Sequence, residues 1–107
     1  MPPHELRIAL TVENHEQALA LFRDTLGLAE LADWSGEQGR VVLLDGGRAT
    51  LELIDSRQAA YIDQIELGRR ESGVVRIALG LDDVDRFAAR TDLPGADVLS
   101  GPVETPW

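Results

Sequence analysis

The sequence contains no cysteine, which excludes disulfide bridges, thiolate nucleophiles and zinc–cysteine centres. Lysine is missing too: all ten basic residues are arginine, so Schiff-base chemistry has no amine to use. Histidine occurs only as His4 and His15, which leaves little material for histidine-based catalysis. Positive charge is scarce, with 19 acidic against 10 basic residues and a formal net charge of -9. Nonspecific nucleic-acid binding by counterion release needs the opposite sign, and no nucleic-acid partner is expected. No apolar run approaches the ~20 residues of a membrane-spanning helix, so no membrane partner is expected either. The opening MPPHELRIAL has no basic segment followed by an apolar one, which reads as no secretory signal and a cytoplasmic location. Neither a glycine-rich phosphate loop nor a nucleophile–base–acid triad can be assembled.

What is present is an ordinary globular composition, 44% hydrophobic and 27% charged over 107 residues, enough for one domain with a modest core. Within it the letters RIAL occur twice, at Arg7-Ile8-Ala9-Leu10 and at Arg76-Ile77-Ala78-Leu79. A four-letter match alone is weak, but the surroundings agree. The first copy leads to Glu13-Asn14 and the run HEQALALF, and the second to Asp82-Asp83 and VDRFAAR. Both read as strand, polar cap, helix.

Leu6, Ile8, Leu10 and Val12 alternate with Arg7, Ala9 and Thr11, the pattern of a half-buried strand. Asn14 is placed to cap a helix with Gln17 at the capping-box position. Ala18, Leu21, Phe22 and Leu26 form its apolar stripe and Gly27 ends it. GLAELADW, GRVVLLD and RATLELID, separated by SGEQG and DGG, predict an antiparallel meander. In the last of these Leu51 and Leu53 face the helix layer, which directs Glu52 to the open side of the sheet. SRQAAYIDQIELGRRES predicts a connector with two helical turns. GVVRIALGL predicts a strand, Asp82 or Asp83 a cap, and Val84, Phe87 and Ala88 a helix. ADVLS predicts a short strand and GPVETPW a loop. The result is an α+β fold of paired βαβββ modules in a single domain, the first module over about 5–55, a connector over about 56–72 and a partial second module over about 73–107.

Three stretches resemble the glyoxalase/bleomycin resistance/extradiol dioxygenase group, also called the vicinal oxygen chelate superfamily. LRIALTVENHEQALALFRDTLGL resembles its opening strand and the "aFYrdvLGl" helix end, ATLELID its fourth strand, and RIALGLDDVDRFAAR with GADVLSGPVETPW its second module up to the usual "PWG". The resemblance implies two βαβββ modules whose sheets curl into a cup, with metal ligands on the first and fourth strands of each. Carried over by pattern, these positions fall on Arg7, Glu52 and Arg76, and the fourth would lie on a strand outside this sequence. A guanidinium has no lone pair to coordinate a cation, so two expected ligands are replaced by groups that repel one. The resemblance therefore implies a metal-free member similar to the bleomycin-binding proteins, with no cofactor and a small-molecule ligand. The alternative, a metal-dependent lyase or dioxygenase of the same superfamily, would need divalent metal through other residues.

Arg7, Glu52 and Arg76 are thus the candidate ligand-binding residues, with Ala9 and Ala78 leaving space beside them. Two guanidiniums around one carboxylate carry net positive charge, which suits an anionic or aromatic ligand with a resistance or sequestration role. The competing reading is a salt-bridge network that plugs the cup of a noncatalytic interaction module. His4 and His15 read as solvated, the aspartates of LDDVD as helix caps, and Trp34 and Trp107 as packing residues or ligand contacts. The missing last two strands leave an open edge, for which a homodimer is the expected assembly.

Overall fold

In the computed structural model, residues 2–69, 72–90 and 94–106 are described. The chain runs β1 (Glu5–Val12), α1 (His15–Leu19), β2 (Glu30–Asp33), β3 (Val41–Asp45), β4 (Thr50–Asp55), α2 (Ser56–Leu67), β5 (Val75–Gly80) and α3 (Val84–Ala88). The five strands form one mixed sheet in the order β2-β3-β4-β1-β5. β1 runs parallel to β4 and antiparallel to β5, and β2, β3 and β4 form the expected antiparallel meander. This is the predicted α+β architecture.

The two RIAL copies are neighbours. Ile8 stands opposite Ile77, Arg7 opposite Ala78 and Ala9 opposite Arg76. An antiparallel pair of identical segments centred on equivalent residues has a local two-fold axis at its centre, here between Ile8 and Ile77. The repeat therefore relates the opening strands of the two halves by symmetry.

The main core lies on one face of the sheet, where Leu10, Val12, Leu51 and Leu53 meet Leu19, Ala18 and Phe22 with Val42 and Leu44. Asn14 caps α1 as predicted, its Oδ1 accepting from the Gln17 N–H at 3.0 Å. The helix then departs from the 3.6-residue stripe. Residues Ala20–Thr25 are π-helical, and the Leu26 N–H donates to the Leu21 carbonyl, five residues back. The wider turn rotates Leu21 and Leu26 off the core face, and both are exposed although the stripe predicted them buried. His15, predicted solvated, is buried, because the first turn of α1 rests on β4 and the ring Nε2–H donates to the Leu53 carbonyl at 2.8 Å.

The connector forms a longer helix than its sequence suggested. α2 has twelve residues, from Asp55, whose Oδ1 accepts from the Gln58 N–H at 2.9 Å, to Gly68, left-handed at φ 73. It lies on the opposite face of the sheet, where Ala59 and Ile62 pack on Val41 and Ile54. The predicted strand ADVLS is not a strand. In the first module the equivalent β2 pairs only with β3, and the corresponding partner is not among these residues. Without a cover like α1, the second half leaves Val75, Ile77, Leu79, Val84 and Phe87 exposed, and Leu6 and Ile8 beside them half-exposed.

Candidate functional site

Strand alternation puts Arg7, Ala9 and Thr11 on the face opposite α1, and the register places the rest around them. Ala9 is paired with Glu52 on one side and with Arg76 on the other, so Glu52, Ala9 and Arg76 form a row across β4, β1 and β5. The next row is Thr50, Arg7 and Ala78. Because Ala9 and Ala78 are short, the long side chains cross above them. All five sequence-predicted residues thus lie on one face, the face that α2 partly covers.

Arg7 spans the open part of this face. Its guanidinium lies 3.3 Å from the Glu52 carboxylate, 3.1 Å from Glu5 and 5.4 Å from the centre of the Trp34 ring. Trp34 follows β2 and is half-exposed, so part of its aromatic surface beside Arg7 is open to solvent. Burial pushes the Glu52 carboxyl up from its ordinary value, a desolvation effect that outweighs the opposing pull of Arg7 and Arg76. Nε of Arg7 and Oγ1 of Thr50, neighbours in register, have no hydrogen-bond partner among the described residues.

Arg76 is held differently. It is 3.1 Å from Asp63 and donates to the Ala59 carbonyl at 3.1 Å, both on α2. Asp63 is 1% exposed and also accepts from Ser72, from the N–H at 3.1 Å and the hydroxyl at 2.6 Å. Glu66, one helical turn further on, has its carboxyl pushed up by burial, with Arg76 opposing. The sequence reading of two guanidiniums sharing one carboxylate is therefore corrected: each has its own, Glu52 for Arg7 and Asp63 for Arg76. With Glu5 included, this face carries no excess of positive charge. Asp63 and Glu66 were overlooked although Ala59, Ile62, Asp63 and Glu66 share helical spacing, the signal that they face the sheet together.

Two clefts are formed largely by the C-terminal residues. One of about 410 Å³ is lined by Glu66 and Leu67 at the end of α2 with Val84, Leu99, Pro102 and Val103 among others, and one of about 460 Å³ by Asp82, Asp83, Asp85 and Glu104 among others. Neither is lined by Arg7, Glu52 or Arg76. The face that carries the predicted residues extends from Trp34, beside Arg7, to α2, which holds Arg76. No group of three or more histidine, cysteine, aspartate or glutamate residues able to hold a metal ion occurs among the described residues, and no described helix is long and apolar enough to cross a membrane.

A model of the Glyoxalase/Bleomycin resistance protein/Dioxygenase superfamily matches residues 6–107, and the chain belongs to this superfamily. Comparisons with curated proteins and with solved structures returned no match. The metal implied by the resemblance does not fit the residues at hand. Of the positions corresponding to metal ligands, only Glu52 has a lone pair to offer, and it faces the Arg7 guanidinium.

Proposed function

We propose that this protein is a metal-independent, small-molecule-binding member of its superfamily, acting by sequestration. Its ligand is a planar aromatic molecule with an anionic or hydrogen-bonding substituent, bound on the face formed by Trp34, Arg7, Glu52 and Thr50. The observation that carries this reading is the position of Arg7, in contact with Glu52 and over the half-exposed Trp34 ring. A guanidinium here offers what a metal would have supplied, a positive group for an oxygen substituent, while Trp34 offers the stacking surface. Because Glu52 and Glu5 already neutralise Arg7, the aromatic wall contributes more to binding than net charge does. We propose a homodimer as the assembly, in which the exposed Val75, Ile77 and Leu79 side chains are covered.

The test is a thermal-shift comparison of benzoate, 1-naphthoate and uncharged naphthalene-methanol on the wild type and Arg7→Ala, with elemental analysis of the purified protein. The expected result is stabilisation by naphthoate, reduced in Arg7→Ala, and substoichiometric divalent metal. Stoichiometric metal would overturn the reading.

A second reading has one observation in its favour. α2 covers one end of the face that carries Arg7, Glu52 and Arg76 and is latched to it by the Asp63–Arg76 pair, as in a noncatalytic module whose cup is plugged. Under that reading none of the three compounds stabilises the wild type.

A further inference from the structure

Among the described residues, five buried side-chain atoms able to hydrogen-bond have no partner, and four of them lie on one face of the sheet: Nε of Arg7, Oγ1 of Thr11, Oγ1 of Thr50 and Nε of Arg76. Strand alternation accounts for the shared face. Arg7 and Thr11 flank Ala9 on β1, Thr50 stands beside Arg7, and Arg76 stands beside Ala9. All four groups can donate. Leaving a buried donor without an acceptor is costly, so such groups are normally met by water or by a ligand.

The four atoms form two pairs. Arg7 and Thr50 are direct neighbours on β1 and β4. Thr11, whose N–H donates to the Val74 carbonyl at 2.8 Å, is the diagonal neighbour of Arg76. The local two-fold of the RIAL copies exchanges Arg7 with Arg76, and as diagonal neighbours their backbones lie about 7–8 Å apart. Both guanidiniums are held by their tips, Arg7 by Glu52 and Glu5, Arg76 by Asp63 and the Ala59 carbonyl, which leaves the Nε–H of each unused. Between them Ala9 and Ala78 present only methyl groups, and Ala78 is exposed.

Charge decides which kind of oxygen suits the Arg76 end. Arg76 already faces Asp63 at 3.1 Å and has Glu66 within electrostatic reach. A carboxylate brought there would meet two acidic groups around one guanidinium. An uncharged carbonyl accepts from the Nε–H and the Thr11 hydroxyl without that repulsion. From the two donor pairs, their spacing and this charge balance, we infer that the ligand bridges both ends of the face. One oxygen substituent lies on Arg7 and Thr50, and a second, uncharged carbonyl oxygen at the opposite edge of the ring lies on Arg76 and Thr11. The inference rests on the aromatic ligand proposed above and adds a second anchor and the chemical class of the group it takes.

Calorimetric titration of three related compounds tests it: 1-naphthoate, the monomethyl ester of 1,5-naphthalenedicarboxylate, which adds an uncharged carbonyl at the far edge, and 1,5-naphthalenedicarboxylate itself. The wild type is expected to bind the monoester about tenfold tighter than 1-naphthoate, and the dicarboxylate no tighter than 1-naphthoate. Thr11→Val should remove the monoester's advantage and leave 1-naphthoate unchanged, while Thr50→Val weakens both. Valine has the shape of threonine without the hydroxyl, so both variants should be at least as stable as the wild type in urea without ligand. Loss of stability in both would show that structural water already holds the hydroxyls, and it overturns the inference. So does a monoester advantage that is absent from the wild type or survives Thr11→Val, and so does a dicarboxylate that binds tighter than the monoester. With 1-naphthoate still bound, each of these results leaves the aromatic-ligand reading in place; if none of the three compounds binds the wild type, both fall.

Discussion

Arg7 and Glu52 form an ion pair of 3.3 Å between β1 and β4, with the Glu52 side chain 12% exposed and that of Arg7 27%. The pair is therefore neither a solvated surface bridge nor a fully buried one. Arg7→Met keeps the apolar stem over Trp34 and removes the charge, leaving Glu52 without its nearest cation. The expected loss of stability is about 1–3 kcal/mol, between the values for exposed and buried pairs, read from urea unfolding at neutral pH.

The Glu52 carboxyl titrates above its ordinary value of 4.5 because burial disfavours its charged form. Folding therefore favours the protonated acid relative to the unfolded chain. Its contribution to stability is complete below the unfolded value and is lost as pH rises through the folded one. Glu52→Gln, uncharged at every pH, should gain on the wild type as pH is raised from acid to neutral. Urea midpoints of the two proteins across that range should diverge in this direction, and a difference independent of pH would show that Glu52 ionises as freely folded as unfolded.

Asp63 is 1% exposed and pairs with Arg76, which is itself mostly buried. Removing one partner of such a pair leaves a buried charge uncompensated. Asp63→Ala should cost about 3–5 kcal/mol, a large share of the stability of a domain this size. Glu16, which meets Arg40 at 3.0 Å with 83% of its side chain exposed, is the contrast. Its replacement by alanine should cost less than about 1 kcal/mol in the same unfolding experiment.

Gly39 has φ 142, and a Cβ there would stand 2.5 Å from Asp55 Oδ1 and 2.6 Å from the Gln58 N–H nitrogen, the two atoms that start α2. Gly39→Ala therefore strains the backbone and disturbs the helix cap together, at an expected cost of about 2–4 kcal/mol. Gly47, also at positive φ, has nothing within 4 Å of its would-be Cβ, so Gly47→Ala carries the backbone cost alone, about 1–2 kcal/mol. Thermal unfolding should rank the two in that order.

Local patterning carried most of the fold. Alternation placed Arg7, Ala9 and Glu52 on one face, capping chemistry started α1 at Asn14, and the RIAL repeat gave the strands that lie side by side as β1 and β5. What escaped depended on contacts between elements. His15 is buried because α1 docks its first turn on the Leu53 carbonyl, which no spacing within the helix reveals. α2 was underestimated because its inward face mixes Ala59 and Ile62 with Asp63 and Glu66. Acidic residues on a buried face read as solvent-facing until Arg76, on another element, is found beside them. The same blindness made the face of Arg7 and Arg76 look positively charged when its arginines are individually paired.

The claim that this face binds an aromatic ligand without metal is tested most directly by calorimetric titration of 1-naphthoate into chelator-dialysed protein. The account predicts one site per chain, weakened at least tenfold, about 1.4 kcal/mol, in Arg7→Met, and unchanged when zinc or manganese is added. Binding that appears only once the metal is restored would contradict it.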